Sequence, residues 1–125
     1  MAANEMDSVL LSVKKMIGLT SDYTAFDTDI IIHINTVFEE LNQMGVGPEE
    51  GFSISDSSTE WSEYFTYGKT SEMVKSYMYL KVRMLFDPPS SGTLAQAYNA
   101  NLDEYRWRLL IFADELRLER EKASK

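Results

Sequence analysis

This sequence predicts an all-α fold, a compact bundle of about four helices in a single domain, and three observations carry that expectation. Four stretches, at residues 9–17, 30–44, 73–86 and 94–116, repeat apolar residues at the i, i+3, i+4 spacing of a helix face. Glycine or proline closes the first three of them, at Gly18, Gly45 and Pro88-Pro89. A chain of 125 residues with a hydrophobic share of 44% is long enough for one core and too short for two.

The first helix is expected over residues 8–17, where Val9, Leu10, Val13, Met16 and Ile17 form one stripe. Glu5 and Asp7 at its start and Lys14 and Lys15 at its end complement the helix dipole, and Gly18 suits a left-handed stop. In the second, Ile30, Ile31, Ile34, Val37, Phe38, Leu41 and Met44 keep helical spacing over four turns after capping candidates at Asp27, Thr28 and Asp29. The β-branched run at residues 30–34 reads as a strand by itself; length and sustained periodicity decide for helix.

Residues 45–69 break the pattern with three glycines up to Gly51, Pro48, many serines and a cluster of aromatics. The segment is long for a loop in a compact domain, which points to function or to structure of its own. Alternation at residues 52–55 admits a short strand, and Ser57, Ser58 or Thr59 are candidate caps for a short helix carrying Trp61, Tyr64 and Phe65. The third principal helix, residues 73–86, is apolar on nearly every side and is expected to be the central, most buried element. Pro88 and Pro89 end it, and Ser90, Ser91 and Thr93 offer a cap for the last. That helix is expected from Leu94 to about Lys122. Its stripe is Leu94, Tyr98, Leu102, Tyr105, Leu109, Phe112 and Leu116, with Trp107, Leu110 and Ile111 lying off it as a second patch. From about Arg117 the chain is mostly charged and is expected to project or fray.

The net charge of −8 is unevenly spread, −9 over residues 1–60 and +1 over residues 61–125. An acidic surface repels phosphate backbones at long range, which disfavours binding to the outside of nucleic acid. No apolar run approaches the length of a membrane span, and the start of the chain lacks the pattern of a signal peptide, so a soluble protein made in the cytoplasm is expected. With no cysteine there is neither a disulfide nor a thiolate metal site.

Catalytic chemistry finds little support. His33 is the only histidine, and Asp29 one turn earlier makes a helix-surface pair a simpler reading than catalysis. Ile30 stands where a carboxylate di-metal bundle needs glutamate. The glycines of residues 45–51 lack the lysine and hydroxyl of a phosphate loop. No enzyme activity and no cofactor are expected. Arg106 and Arg108 flank Trp107 as single-strand binders do, but Asp103 and Glu104 adjoin them and Glu104 is placed to pair with Arg108.

The stretch YLKVRMLFDPPSSGTL, the later Tyr105-Arg106-Trp107-Arg108-Leu109, and an opening helix ending in Ile17-Gly18-Leu19 resemble the head-tail connector (adaptor) proteins of long-tailed bacteriophages. The resemblance covers most of the chain apart from residues 45–69 and the charged tail. It implies a structural virion protein, made in the bacterial host, that forms a ring beneath the portal and extends the DNA channel. The partners it implies are the portal protein, a stopper or tail-completion protein, and further copies of the chain, with DNA passing through and no membrane involved. Trp61, Tyr64, Phe65, Arg106, Trp107, Arg117 and Arg120 are the expected protein-interface residues. The rival reading is a small acidic helical regulator or inhibitor of a basic protein, and a weaker third is an enzyme using Asp27 or Asp29.

Overall fold

The computed structural model describes residues 5–65 and 71–123. Five helices follow one another in this part of the chain: α1 (Val9–Met16), α2 (Asp27–Met44), α3 (Trp61–Tyr64), α4 (Ser71–Phe86) and α5 (Gly92–Ala123). Residues 66–69 of the expected loop lie outside the described residues.

Local chemistry sets the ends. Ser8 caps α1, its hydroxyl accepting the Leu11 N–H at 3.2 Å, and Gly18 follows with φ of 92°. Helix α2 begins at Asp27, one residue earlier than a capping role for that residue allows, so Asp27 and Asp29 sit in the first turn and favour the dipole there. It stops at Gly45 in the left-handed conformation. The cap of α3 is Glu60, not the expected serines or threonine: the Glu60 N–H donates to the Glu63 carboxylate at 2.6 Å in a reciprocal capping box. After the prolines, Ser91 accepts from the Leu94 and Ala95 amides and starts α5.

Helix α4 packs along both α2 and α5, whereas α2 and α5 touch only slightly. Its Val74, Tyr77, Met78 and Val82 are buried, but Met73, Leu80, Met84 and Phe86 are half-buried and Leu85 is exposed. The expectation that α4 is the most buried element is therefore corrected: it is central, with one flank open. The denser burial is in α1, where even Lys14 is enclosed, its ammonium 2.8 Å from Asp27 and donating to the Ser21 carbonyl at 3.1 Å.

The segment after α2 closes the core. Phe38 stacks on Tyr64 at 4.8 Å between centroids and meets Phe52 edge-on at 5.0 Å, while Trp61 stacks on Phe65 at 5.6 Å. The Trp61 indole N–H donates to the Ser12 hydroxyl at 2.9 Å, tying this lid to α1. The Val9 N–H also bonds the Thr59 carbonyl, and the Trp61 N–H bonds that of Asp7. Gly47, with φ of 89°, lets the chain pass so close to Tyr64 that a Cβ there would lie 2.5 Å from the phenol oxygen. The anticipated strand at residues 52–55 does not form. Instead the Asn35 side chain serves as its partner, accepting the Ile54 N–H at 2.8 Å and donating to the Ile54 carbonyl at 3.0 Å.

Candidate protein-interaction surfaces

Helix α5 runs for 32 residues, about 48 Å at its rise per residue. Leu102, Leu109, Ala113 and Leu116 are its buried side, with Tyr98, Tyr105 and Phe112 half-buried beside them. On the opposite side Trp107, Ile111 and Leu118 form a solvent-facing apolar row, bordered by Leu110. Trp107 is 65% exposed, more than any other large hydrophobic residue described. The second patch noted in the sequence thus adds nothing to the core of a single copy. Apolar rows of this kind on a folded surface mark contacts with other molecules.

A second exposed apolar area lies where the start of α2 meets the end of α4. Phe26, Ile32 and Phe86, with Asp29, His33 and Asp87, line an open cleft of about 510 Å³. The Phe26 and Phe86 rings meet edge-on at 5.3 Å, and Tyr23 adds a third ring 5.8 Å from Phe26. Here His33 and Asp29 share a cleft wall, and the structure gives them no hydrogen bond to each other.

The seven expected interface residues fall into separate groups. Trp61 and Tyr64 are each 2% exposed and half-buried Phe65 packs on them, so the aromatic segment is turned inward. As a surface for a partner, the single copy withholds it; five aromatics with no helical period gave no sign of this inward turn. Burial pushes the Tyr64 hydroxyl well above its ordinary pKa. Arg106 is half-committed to the interior: it donates to the Tyr77 hydroxyl at 3.2 Å, and Tyr77 donates to Glu40 at 2.7 Å. With Lys81 3.7 Å from Glu40, this network ties α2, α4 and α5 together. Burial first, then the Glu40 carboxylate, raises the Tyr77 pKa.

Of the group, Trp107 is the one large apolar side chain that stands mostly in solvent. Arg108 next to it makes the expected pair with Glu104 at 2.7 Å. Arg117 is exposed and lies 3.6 Å from Asp114. The tail that was expected to project or fray is helical to Ala123, and Arg120 reaches back to Glu49 at 3.1 Å, fastening α5 to the segment after α2. Lys14 is the residue that sequence reading missed, because a lysine in a last turn reads as a solvated dipole partner.

Among the described residues no three histidine, cysteine or carboxylate side chains are arranged to hold a metal, and no helix is long and apolar enough to cross a membrane. Asp27, a candidate for the enzymatic reading, is engaged by Lys14. No curated protein and no solved structure matches this chain. A family model, phage connector protein, matches residues 9–115, a span that includes the 45–65 lid and stops just before the charged end of α5. The chain therefore belongs to the phage connector protein family, a family of structural rather than catalytic proteins.

Proposed function

We propose that this connector forms a ring beneath the portal vertex, joins the DNA-filled head to the tail, extends the DNA channel, and offers a platform to a stopper or tail-completion protein. Family membership supports the connecting role. The observation that carries the assembly claim is the apolar row of Trp107, Ile111 and Leu118, which faces away from the core of its own copy. A ring needs two unlike faces on each subunit. The flank built on α2 and the segment after it is acidic, with no lysine or arginine anywhere in residues 16–68, while α5 carries mixed charge. An acidic surface turned toward a channel does not hold DNA that must slide through it.

Individual contacts of this size are weak, so a monomer in dilute solution and a ring on the portal template are expected. The test is sedimentation with purified portal or DNA-filled heads, comparing the full chain with one truncated after Leu116. Truncation removes Leu118 of the apolar row and Arg120 with its Glu49 contact but leaves the core side of α5. Incorporation of the full chain and reduced incorporation of the shortened one support the proposal. Equal incorporation removes the tail from it, and failure of the full chain to join cognate heads overturns it.

A further inference from the structure

We infer that, within the ring just proposed and resting on that reading, neighbouring copies meet by docking Trp107 and Arg108 of one copy into the Phe26–Phe86 cleft of the next. The cleft has an apolar floor of Phe26, Ile32 and Phe86, with His33 as its one basic side chain, and among the described residues no lysine or arginine lines it. Its carboxylates, Asp29 and Asp87, accept hydrogen bonds and, ionised, cannot donate. Around it Tyr23, Phe26 and Ile32 remain exposed in the single copy. This combination takes a flat apolar group carrying N–H donors next to a cation.

The same chain presents that chemistry elsewhere. Trp107 supplies a large ring with one indole N–H donor, and Arg108 is exposed beside it. Its pairing with Glu104 is between solvated side chains and exchanges readily. Tryptophan and arginine are also the side chains most often found as anchors in protein contacts, where a pocket excludes water around them.

Placement makes the contact intermolecular. The cleft belongs to α2 and the end of α4, Trp107 faces outward from α5, and α4 separates α2 from α5 along most of their length. Cleft and anchor therefore lie on different flanks, and joining them between copies gives a head-to-tail contact that passes from copy to copy, as a ring requires, rather than ending at a pair. Docking α5 against α5 through the apolar row would instead form a closed pair. Run antiparallel, it would also bring Arg108 of one copy toward Arg117 of the other.

Absence of cysteine in the chain makes the contact directly readable. A chain carrying Ile32→Cys and Ile111→Cys, assembled on purified portal and treated with a short bis-maleimide, is expected to give a ladder of linked copies. Each single substitution should leave monomers. Separately, Trp107→Ala and Arg108→Glu are each expected to lower incorporation about tenfold or more with unchanged circular dichroism, and Asp87→Arg is expected to restore part of the loss in the Arg108→Glu chain. If the wild-type chain joins the portal but both variants join equally well, the docking contact is wrong while the ring stands. Linked pairs from Ile111→Cys alone would replace it with α5-to-α5 docking. If the wild-type chain does not join the portal, both fall.

Discussion

Replacing Asp27 by asparagine probes the enclosed ion pair between α1 and the first turn of α2. Lys14 has a side chain only 1% exposed, and its ammonium has two partners, Asp27 at 2.8 Å and the Ser21 carbonyl at 3.1 Å. Asp27→Asn keeps the volume and removes the counter-charge, leaving a buried cation with neutral acceptors only. Breaking a buried pair from one side costs about 3–5 kcal/mol. Asp27 retains 27% exposure, so water partly screens the pair and the lower part of that range applies. Loss of a carboxylate from the first turn of α2 adds about 0.3–1 kcal/mol. A total of about 3.5 kcal/mol, set against an unfolding entropy of about 2.1 cal/mol/K per residue, corresponds to a fall in Tm of about 13 °C. Thermal and urea unfolding followed by circular dichroism measure it. Adding Lys14→Met removes the stranded charge, so the double variant should recover about 2 kcal/mol relative to Asp27→Asn alone. An Asp27→Asn chain within 0.5 kcal/mol of wild type would refute the assigned role of the pair.

Val82→Asp should unfold the domain, since it places an unpaired carboxylate at a fully buried position of α4 at a cost of about 4 kcal/mol or more, whereas Leu80→Asp on the half-open flank should cost about 1–2 kcal/mol; equal melting of the two would contradict the packing of α4. Stability should fall as pH rises above the ordinary tyrosine value of 10.0, because burial raises the pKa of Tyr64, Tyr77 and Tyr79 in the folded chain. Unfolded chains then lose protons that folded ones keep, so the stabilisation is complete below that pH and is lost as pH climbs through the folded values. Urea titrations at stepped alkaline pH should show a shallower decline for Tyr64→Phe, and an unchanged slope would exclude Tyr64 as a source. At physiological salt the isolated protein should not bind duplex DNA in an anisotropy titration, given its net charge of −8; submicromolar, salt-sensitive binding would overturn that.

What the sequence disclosed, and what it hid, divides by the range of the interactions. Helix α1 with its Gly18 stop, the prolines ending α4, the Ser91 start of α5 and the Glu104–Arg108 pair are all fixed within a few residues of chain, and all were legible. Burial of Lys14 depends on α2 bringing Asp27 alongside, which no local pattern signals. Trp61 and Tyr64 sit in a four-residue helix too short to show a period, and their inward turn is decided by Phe38, Ser12 and Val46 from other elements. Likewise Asn35 takes the part of a neighbouring strand for Ile54, and side-chain stand-ins for backbone leave no repeat in a sequence. Of the expected interface residues, Trp107 could be placed on the exposed side of α5 from its offset on the stripe. The cleft that faces a neighbour in the proposed ring could not, since Phe26 and Phe86 are 60 positions apart.

The most direct test of the connector ring is electron microscopy of purified portal, or of DNA-filled heads lacking their neck, after incubation with the purified protein. A closed ring of density on the portal, coaxial with its channel and with α5 of each copy against its neighbour, is expected. Bare portals at saturating protein, or single copies bound to it without contact between them, would contradict it.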